Sequence, residues 1–201
     1  GIGGSSICWA CWVKAPAPQI MLEQVGRRYT LSEVIKIALD AMGGDNAPAA
    51  VVDGADIAKA KSTHIEILFV GDETVIRPLL AKSKHVKDAG VIHTEFAVSS
   101  KETASQAVRR GRESSMWLAI AEVAAKRADA IVSAGNTGAL MAMAKLQLRP
   151  MPGITRPAIA GFFPTEHDPM CMLDLGANLD CDEENLVQIY IQVYHMSNKS
   201  F

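Results

Sequence analysis

The chain has 201 residues, of which 49% are hydrophobic, 21% are charged and 5% are aromatic. This length suits one globular domain or slightly more, and the composition predicts a core of aliphatic side chains. The formal net charge of −2 does not favour nucleic-acid binding, which usually requires a basic surface. No apolar run in the sequence approaches the roughly 20 residues that a transmembrane helix needs.

Residues 1–33 differ in composition from the remainder and are predicted to be a poorly ordered or non-native extension. They include a Cys-x-x-Cys pair, Cys8 and Cys11. A structural zinc site needs four ligands, and no second pair lies nearby in the sequence. A redox site would need a surrounding strand and helix, so we expect no metal or cofactor at this pair. Cys171 and Cys181 are expected to be reduced thiols of a cytosolic protein.

From Ile35 onward, short apolar runs alternate with helical runs, which indicates parallel βαβ units in an α/β fold. The apolar runs are mostly continuous, as expected for a sheet that is covered on both faces. In chain order, strands are predicted at 35–40, 66–70, 91–94, 130–133, 158–163 and 171–175, and helices at 48–61, 73–82, 103–110, 114–127, 137–148 and 183–195.

The first predicted strand ends in a glycine-rich turn, residues 41–48, which leads directly into a helical run. Asp45 or Asn46 is expected to cap that helix, with Pro48 in its first turn. Glycine, aspartate and asparagine therefore follow the strand end, which is the composition expected of a ligand-binding loop in an open sheet.

The fourth predicted strand has the same arrangement, because Ser-Ala-Gly-Asn-Thr-Gly at 133–138 separates it from a helical run. A helix start offers unpaired backbone N–H groups and a partial positive charge, so it attracts anions. Gly135 and Gly138 leave room for a ligand to approach the backbone. The pattern predicts a site for phosphate or for a developing oxyanion, although a purely structural turn would have the same sequence.

A third turn of this kind follows the sixth predicted strand, at residues 176–181. Ligands gather at the carboxyl ends of parallel strands. The turns at 41–46, 134–138 and 176–180 are therefore expected to meet at one edge of the sheet, where they would form a polar cleft lined by glycine.

Five segments together resemble the bacterial phosphate acyltransferase family: IALDAMGGDNAP (37–48), SSMWLAIAEV (114–123), SAGNTGALMAMAKL (133–146), PGITRPAIA (152–160) and LDLGANLDC (173–181). The resemblance runs from about Val34 to about Gln188. It implies transfer of a fatty acyl group from acyl-[acyl-carrier-protein] to inorganic phosphate, which gives acyl phosphate for phosphatidic acid and phospholipid synthesis.

The same resemblance implies a three-layer, parallel-rich sheet like that of isocitrate and isopropylmalate dehydrogenases. Residues 34–188 would form the N-terminal part of the acyltransferase domain, and residues 189–201 a divergent tail. Because family members continue well beyond this point, the chain is interpreted as truncated at its C-terminus and as inactive by itself.

The implied reaction is attack of phosphate on a thioester carbonyl. A thiol with a pKa near about 8.5 leaves readily, so no Ser-His-Asp set is needed, and catalysis would depend on positioning and electrostatics. The predicted catalytic residues are Asn136, Thr137, Gly138 and Lys145. The predicted substrate-binding residues are Asp40, Gly43, Gly44, Asp45, Asn46, Ser133, Gly135, Arg156, Asp174, Gly176 and Asn178.

A basic cluster, Arg109, Arg110 and Arg112, precedes the predicted helix at 114–127. It is interpreted as a docking site for the acidic carrier protein, as a phosphate contact beside the helix start at Ser114, or as a solvated helix end. The resemblance further implies a cytoplasmic homodimer, and peripheral contact at the inner membrane face with the downstream glycerol-3-phosphate acyltransferase. No cofactor, metal or nucleic acid is expected.

Two other functions stay open at this point. One is a metal- and nicotinamide-dependent dehydrogenase of related fold, although no Gly-x-Gly-x-x-Gly motif follows a strand. The other is a catalytically inactive fragment that acts only by associating with a partner subunit.

Overall fold

The computed structural model describes residues 34–163, 166, 170–176, 178 and 180–200. The predictions for residues 1–33, including the Cys8–Cys11 pair, lie outside these residues. The described chain divides into two compact units at Leu148. We call residues 34–148 the N-terminal unit and residues 149–200 the C-terminal unit.

A four-stranded sheet forms the centre of the N-terminal unit, with the strand order β3-β2-β1-β4. Its strands are β1 (Ile35–Asp40), β2 (Ile65–Gly71), β3 (Gly90–His93) and β4 (Ala130–Val132), and every neighbouring pair is parallel. Leu39 pairs with Val132 across β1 and β4, so Asp40 and Ser133 follow at the ends of adjacent strands. The predicted parallel α/β arrangement is confirmed for this unit.

Five helices connect and cover these strands. They are α1 (Ala49–Lys61), α2 (Glu73–Leu80), α3 (Ala104–Arg110), α4 (Ser115–Ala124) and α5 (Thr137–Leu148). Side chains at the starts of α2, α3 and α4 cap them: Asp72 accepts from Thr74 N, Thr103 from Gln106 N, and Ser114 from Trp117 N. Each cap satisfies a backbone N–H that has no partner within its helix.

The expected side-chain cap of α1 is wrong. Pro48 occupies the N-cap position, and no side-chain hydrogen bond caps the helix there. Asp45 and Asn46 lie one turn too early in the chain, and both are exposed. Backbone carbonyls accept at the helix start instead: the Asn46 carbonyl from Ala50 N at 3.1 Å and the Pro48 carbonyl from Val52 N at 3.0 Å.

Apolar side chains cover the sheet of the N-terminal unit on both faces. Leu39 and Phe69 pack with Val52 of α1 and Ile76 of α2 in one buried cluster. Successive residues of a strand point to opposite faces, so Asp40 faces the other side, where α4 contacts the sheet. Full burial of one such side chain stabilises the fold by about 1.5–3 kcal/mol.

The C-terminal unit contains a two-stranded antiparallel sheet, β5 (Gly161–Phe163) and β6 (Met170–Met172), followed by α6 (Glu183–Ser200). The predicted strands at 158–163 and 171–175 are therefore shorter than expected, and the expectation of parallel pairing is wrong for them. Only residues 164–169 separate β5 from β6. A parallel pair needs a crossover of about a dozen residues or more, so this connection permits only an antiparallel pair.

Candidate functional site

The strand order of the N-terminal unit reverses between β1 and β4. The chain runs from β1 outward through β2 to β3, and β4 is then added on the opposite side of β1. In open α/β sheets, ligands bind in the crevice at the carboxyl ends of strands where the order reverses. The first two predicted turns, 41–46 and 133–138, follow β1 and β4 and therefore lie at this crevice.

The two glycine turns are in direct contact. A Cβ atom at Gly43 would lie 2.9 Å from Gly135 N and 2.9 Å from Ser133 Oγ. Gly44 has a φ of +108° and lies against Ala134, where a Cβ would come within 3.2 Å of the carbonyl oxygen. Glycine is therefore required at both positions, because a side chain would separate the turns.

A buried carboxylate lies beneath the contact. Asp40 is only 1% exposed. Ser133 Oγ donates to Asp40 Oδ2 at 2.7 Å, and Met42 N donates to Asp40 Oδ1 at 3.2 Å. Burial raises the pKa of the Asp40 carboxyl, and the donors around the carboxylate, including Ser115 and Ser133, partly oppose that rise. Asp40 is thus buried and hydrogen-bonded within the contact between the turns, and its predicted substrate-binding role stays a prediction.

Ser133 connects the Asp40 carboxylate to the second turn. Its hydroxyl donates to Asp40 and accepts a hydrogen bond from Gly135 N at 3.1 Å. Ser133 is itself 8% exposed. Asp40, Ser133 and Gly135 therefore form one continuous hydrogen-bonded chain from the end of β1 to the turn that precedes α5.

Ser115, the first residue of α4, also lies beside this carboxylate. Its hydroxyl lowers the pKa of Asp40, yet it makes no hydrogen bond of acceptable geometry although the residue is only 1% exposed. Ser115 therefore acts on the carboxylate electrostatically without a well-aligned hydrogen bond, whereas Ser133 makes one. Sequence analysis missed Ser115, and the Ser-Ser pair before the α4 pattern was the available signal.

Both ends of the Asn136 side-chain amide are occupied. Oδ1 accepts from Ala139 N at 3.0 Å, which caps α5, and Nδ2 donates to the Glu102 carbonyl at 2.8 Å. The same Nδ2 lies 3.4 Å from the Ser99 carbonyl. The side chain therefore joins the loop at 99–102 to the start of α5, a structural role that the sequence did not reveal.

The remaining predicted catalytic residues lie along α5. Thr137 and Gly138 are in its first turn, and because Asn136 caps Ala139, their N–H groups are the ones left without a partner inside the helix. Lys145 is exposed in the last turn. A helix rises about 1.5 Å per residue, so Lys145 lies about 12 Å along the axis from Thr137 and does not join the turn.

Several predicted substrate-binding residues form the outer part of the crevice. Gly44, Asp45 and Asn46 are exposed, whereas Gly43 is buried in the contact and Gly135 is half-buried. Arg109, Arg110 and Arg112 are exposed at and just beyond the end of α3, where the two that lie within the helix complement its dipole. Their predicted role in docking stays a prediction.

The third predicted turn belongs to the C-terminal unit. Asp174 accepts from Asn178 N at 2.9 Å and from Asn178 Nδ2 at 2.7 Å, and it also accepts from Ile159 N. Arg156 donates to the Asp180 carbonyl at 3.1 Å and is otherwise exposed. Gly176, with a φ of +79°, has open space around it. The predicted convergence of this turn with the other two stays a prediction.

Two further observations concern the described residues only. No group of three or more histidine, cysteine, aspartate or glutamate side chains among them is arranged to hold a metal ion. None of the helices formed by these residues combines the length and the apolar composition needed to cross a bilayer. A shallow groove at the start of α2, lined by Glu73, Arg77 and His93, lies at the ends of β2 and β3 and not at the glycine turns.

Comparison with known proteins identifies the family that this chain resembles. The sequence model of the family described as "Fatty acid synthesis protein" matches residues 35–197. The chain is 57% identical to the phosphate acyltransferase of Rhodospirillum centenum over 162 residues, 80% of this chain and 46% of the relative. It is 50% identical to the phosphate acyltransferase of Paramagnetospirillum magneticum over 162 residues, again 80% of this chain and 46% of that protein.

A third phosphate acyltransferase, from Parvibaculum lavamentivorans, is 54% identical over 156 residues, 77% of this chain and 43% of the relative. The chain thus spans about half the length of the curated relatives that it matches. The family match includes every strand and helix of both units, apart from the last residues of α6. The chain therefore belongs to the fatty acid synthesis protein family.

Proposed function

We propose that this chain forms the phosphate-binding part of an enzyme that transfers a fatty acyl group from acyl-[acyl-carrier-protein] to inorganic phosphate. A phosphate oxygen attacks the thioester carbonyl carbon, the C–S bond breaks, and the carrier thiolate leaves. The products are acyl phosphate, for phospholipid synthesis, and the free carrier protein. The relatives' name, phosphate acyltransferase, supports the reaction class.

One observation supports this function above the others: the start of α5 lies at the point where the strand order reverses, directly after the β4 turn. Because the Asn136 side chain already caps Ala139 N, the N–H groups of Thr137 and Gly138 are the available donors. Backbone donors at a helix start bind phosphate and stabilise a developing oxyanion without any cofactor.

The individual roles follow from this placement. Thr137 and Gly138 would contact phosphate or the oxyanion through their backbone, whereas Asn136 would act by holding that backbone in place. Gly44, Asp45 and Asn46 would form the opposite wall of the crevice. Arg156, Asp174, Gly176 and Asn178 remain proposed as further substrate contacts, and Lys145 as a cation outside the first turn of α5.

The proposal extends to partners and architecture. Arg109, Arg110 and Arg112 would attract the acidic carrier protein, since exposed arginines at a helix end accelerate encounter with an anionic partner. The enzyme would be a cytoplasmic homodimer at the inner membrane face, next to the downstream glycerol-3-phosphate acyltransferase. Its complete fold would resemble the isocitrate and isopropylmalate dehydrogenases.

A chimeric enzyme tests the function, because this chain spans only 46% of the Rhodospirillum centenum relative. Residues 35–188 of this chain would replace the aligned segment of that relative. We expect acyl phosphate formation from acyl-[acyl-carrier-protein] and phosphate within about tenfold of the unmodified relative, a difference in activation free energy of about 1.4 kcal/mol.

The control is the same chimera with Gly43→Ala, which separates the two glycine turns and should greatly reduce acyl phosphate formation. A chimera that unfolds cooperatively but forms no acyl phosphate, beside an active relative, would contradict the proposed function.

A further inference from the structure

The carboxylate of Asp40 is the feature of the crevice that the proposed reaction does not itself use. Removal of a carboxylate from water is unfavourable unless hydrogen bonds or opposite charges compensate. Among the described residues, no lysine or arginine forms an ion pair with Asp40. Hydroxyl and backbone donors satisfy it instead, which ties its position to the conformation of the turns that supply them.

One carboxylate holds both turns. Oδ1 accepts from Met42 N in the β1 turn, and Oδ2 accepts from Ser133, which in turn accepts from Gly135 N in the β4 turn. Gly43 packs closely against the carboxylate, since a Cβ there would lie 2.6 Å from Asp40 Oδ2. Movement of the carboxylate would disturb the hydrogen bonds that connect it through Ser133 to the turn that leads into α5.

Building on the proposed function, we propose that Asp40 is a positioning residue of the phosphate site. It acts through the Ser133 hydroxyl, which holds Gly135 and thereby sets the direction of the free N–H groups at Thr137 and Gly138. A preorganised donor pair binds an anion more tightly than a mobile one, because no ordering is needed when the anion arrives.

The same geometry assigns a role to Ser133 that its sequence context does not show, because Asp40 lies 93 positions away in the chain. The hydroxyl donates a hydrogen bond to the buried carboxylate, and its oxygen accepts one from Gly135 N. Ser133 is thus a link between Asp40 and the turn.

The test uses the full 201-residue chain labelled with ¹⁵N, titrated with inorganic phosphate. Variants are Ser133→Ala, Asp40→Asn and the double variant, with Ser133→Thr to restore the hydroxyl. We expect each single variant to shift the amide resonance of Gly135 and to weaken phosphate binding at least about tenfold, the loss expected from one misplaced charge-assisted hydrogen bond.

The double variant should bind phosphate no more weakly than the weaker single variant, because the two residues act as one unit. Ser133→Thr should restore most of the affinity. Asp129→Asn is the matched control, since Asp129 Oδ2 also accepts a cross-strand bond, from Lys36 N at 2.8 Å, but at the opposite end of β1 and β4. That variant should leave the Gly135 resonance and phosphate affinity unchanged.

The outcomes separate the two proposals. A wild-type chain that binds no phosphate would overturn both the proposed function and the positioning role at a phosphate site, whatever the Gly135 shifts show. Phosphate binding that survives Asp40→Asn, or losses that simply add in the double variant, would overturn the positioning role alone. If Asp40→Asn does not fold, Ser133→Ala with Ser133→Thr rescue decides the outcome.

Discussion

Different interactions stabilise the interior of each of the two units. In the N-terminal unit, large side chains such as Phe69, Ile76, Ile120 and Met143 are fully buried between the sheet and its helices. In the C-terminal unit, Ile154 is the one buried hydrophobic side chain among the described residues.

In the C-terminal unit, hydrogen bonds with side-chain amides replace most of this apolar packing. Gln188 Oε1 accepts from Thr155 N at 2.8 Å, and Gln192 Oε1 accepts from Ala158 N at 3.0 Å, so α6 binds the preceding loop through polar atoms. Larger apolar side chains of the same helix, including Tyr190 at 70% exposure, face outward. Burial of apolar surface contributes more per residue than a net hydrogen bond, so we expect the N-terminal unit to carry most of the stability.

Phe69→Ala should lower the free energy of unfolding more than any of the substitutions that follow. Phe69 is 0% exposed in the centre of the sheet, and loss of such a side chain costs about 3–5 kcal/mol of unfolding free energy. Denaturant unfolding of the full chain measures the loss. The control is Phe163→Ala in β5, where Phe163 is 42% exposed and much less apolar surface is removed from the interior. Equal losses at the two phenylalanines would contradict the comparison.

Gly43→Ala should cause the next largest loss of stability. Its Cβ would lie 2.6 Å from Asp40 Oδ2, and forced overpacking of this kind costs about 1–3 kcal/mol. Gly54→Ala in α1 is the matched control, because a Cβ there meets nothing within 4 Å. Alanine should stabilise that helix by about 0.5–1 kcal/mol. Thermal unfolding distinguishes the two, and a stabilised Gly43→Ala variant would show that the turns do not need their close contact.

The pH dependence of stability should differ between wild type and Asp40→Asn. Burial raises the pKa of Asp40 above its ordinary value of 3.8, so the folded chain retains this proton to higher pH than the unfolded chain. The contribution of Asp40 to stability is therefore largest below pH 3.8 and falls as the pH rises through the folded pKa.

One such group changes the unfolding free energy by at most about 1.4 kcal/mol per pH unit within that window. Chemical unfolding of wild type and Asp40→Asn at a series of pH values measures this slope, as the difference between their unfolding free energies at each pH. Parallel curves for the two proteins would show that the carboxyl titrates alike in both states.

Tyr190→Ser should change the free energy of unfolding least. Tyr190 is 70% exposed on α6, and surface substitutions usually change stability by less than about 0.5 kcal/mol. Gln188→Ala is the comparison within the same helix, since it removes the acceptor of Thr155 N and should cost about 1 kcal/mol. A greater loss from Tyr190→Ser than from Gln188→Ala, measured by denaturant unfolding, would mean that the exposed face is covered in solution.

Local sequence patterns determined most of the element positions. Helices α1 to α5 and strands β1 to β4 lie within a few residues of their predicted bounds, because apolar runs, glycine turns and capping residues are local signals. The antiparallel pairing of β5 and β6 was also available from the sequence, in the short connection at 164–169, but the alternation of strands and helices suggested parallel pairing instead.

The sequence by itself determined the family, the parallel α/β arrangement of the N-terminal unit and the two glycine turns at its crevice. Only the tertiary structure decided which of these residues contact each other. Asp40 and Ser133 are 93 positions apart and meet because β1 and β4 pair in register. This pairing buries the Asp40 carboxylate and brings the Ser133 hydroxyl into a hydrogen bond with it. Asn136 likewise binds the Glu102 carbonyl across 34 positions. Such contacts depend on strand pairing and loop packing, which no local window of sequence contains.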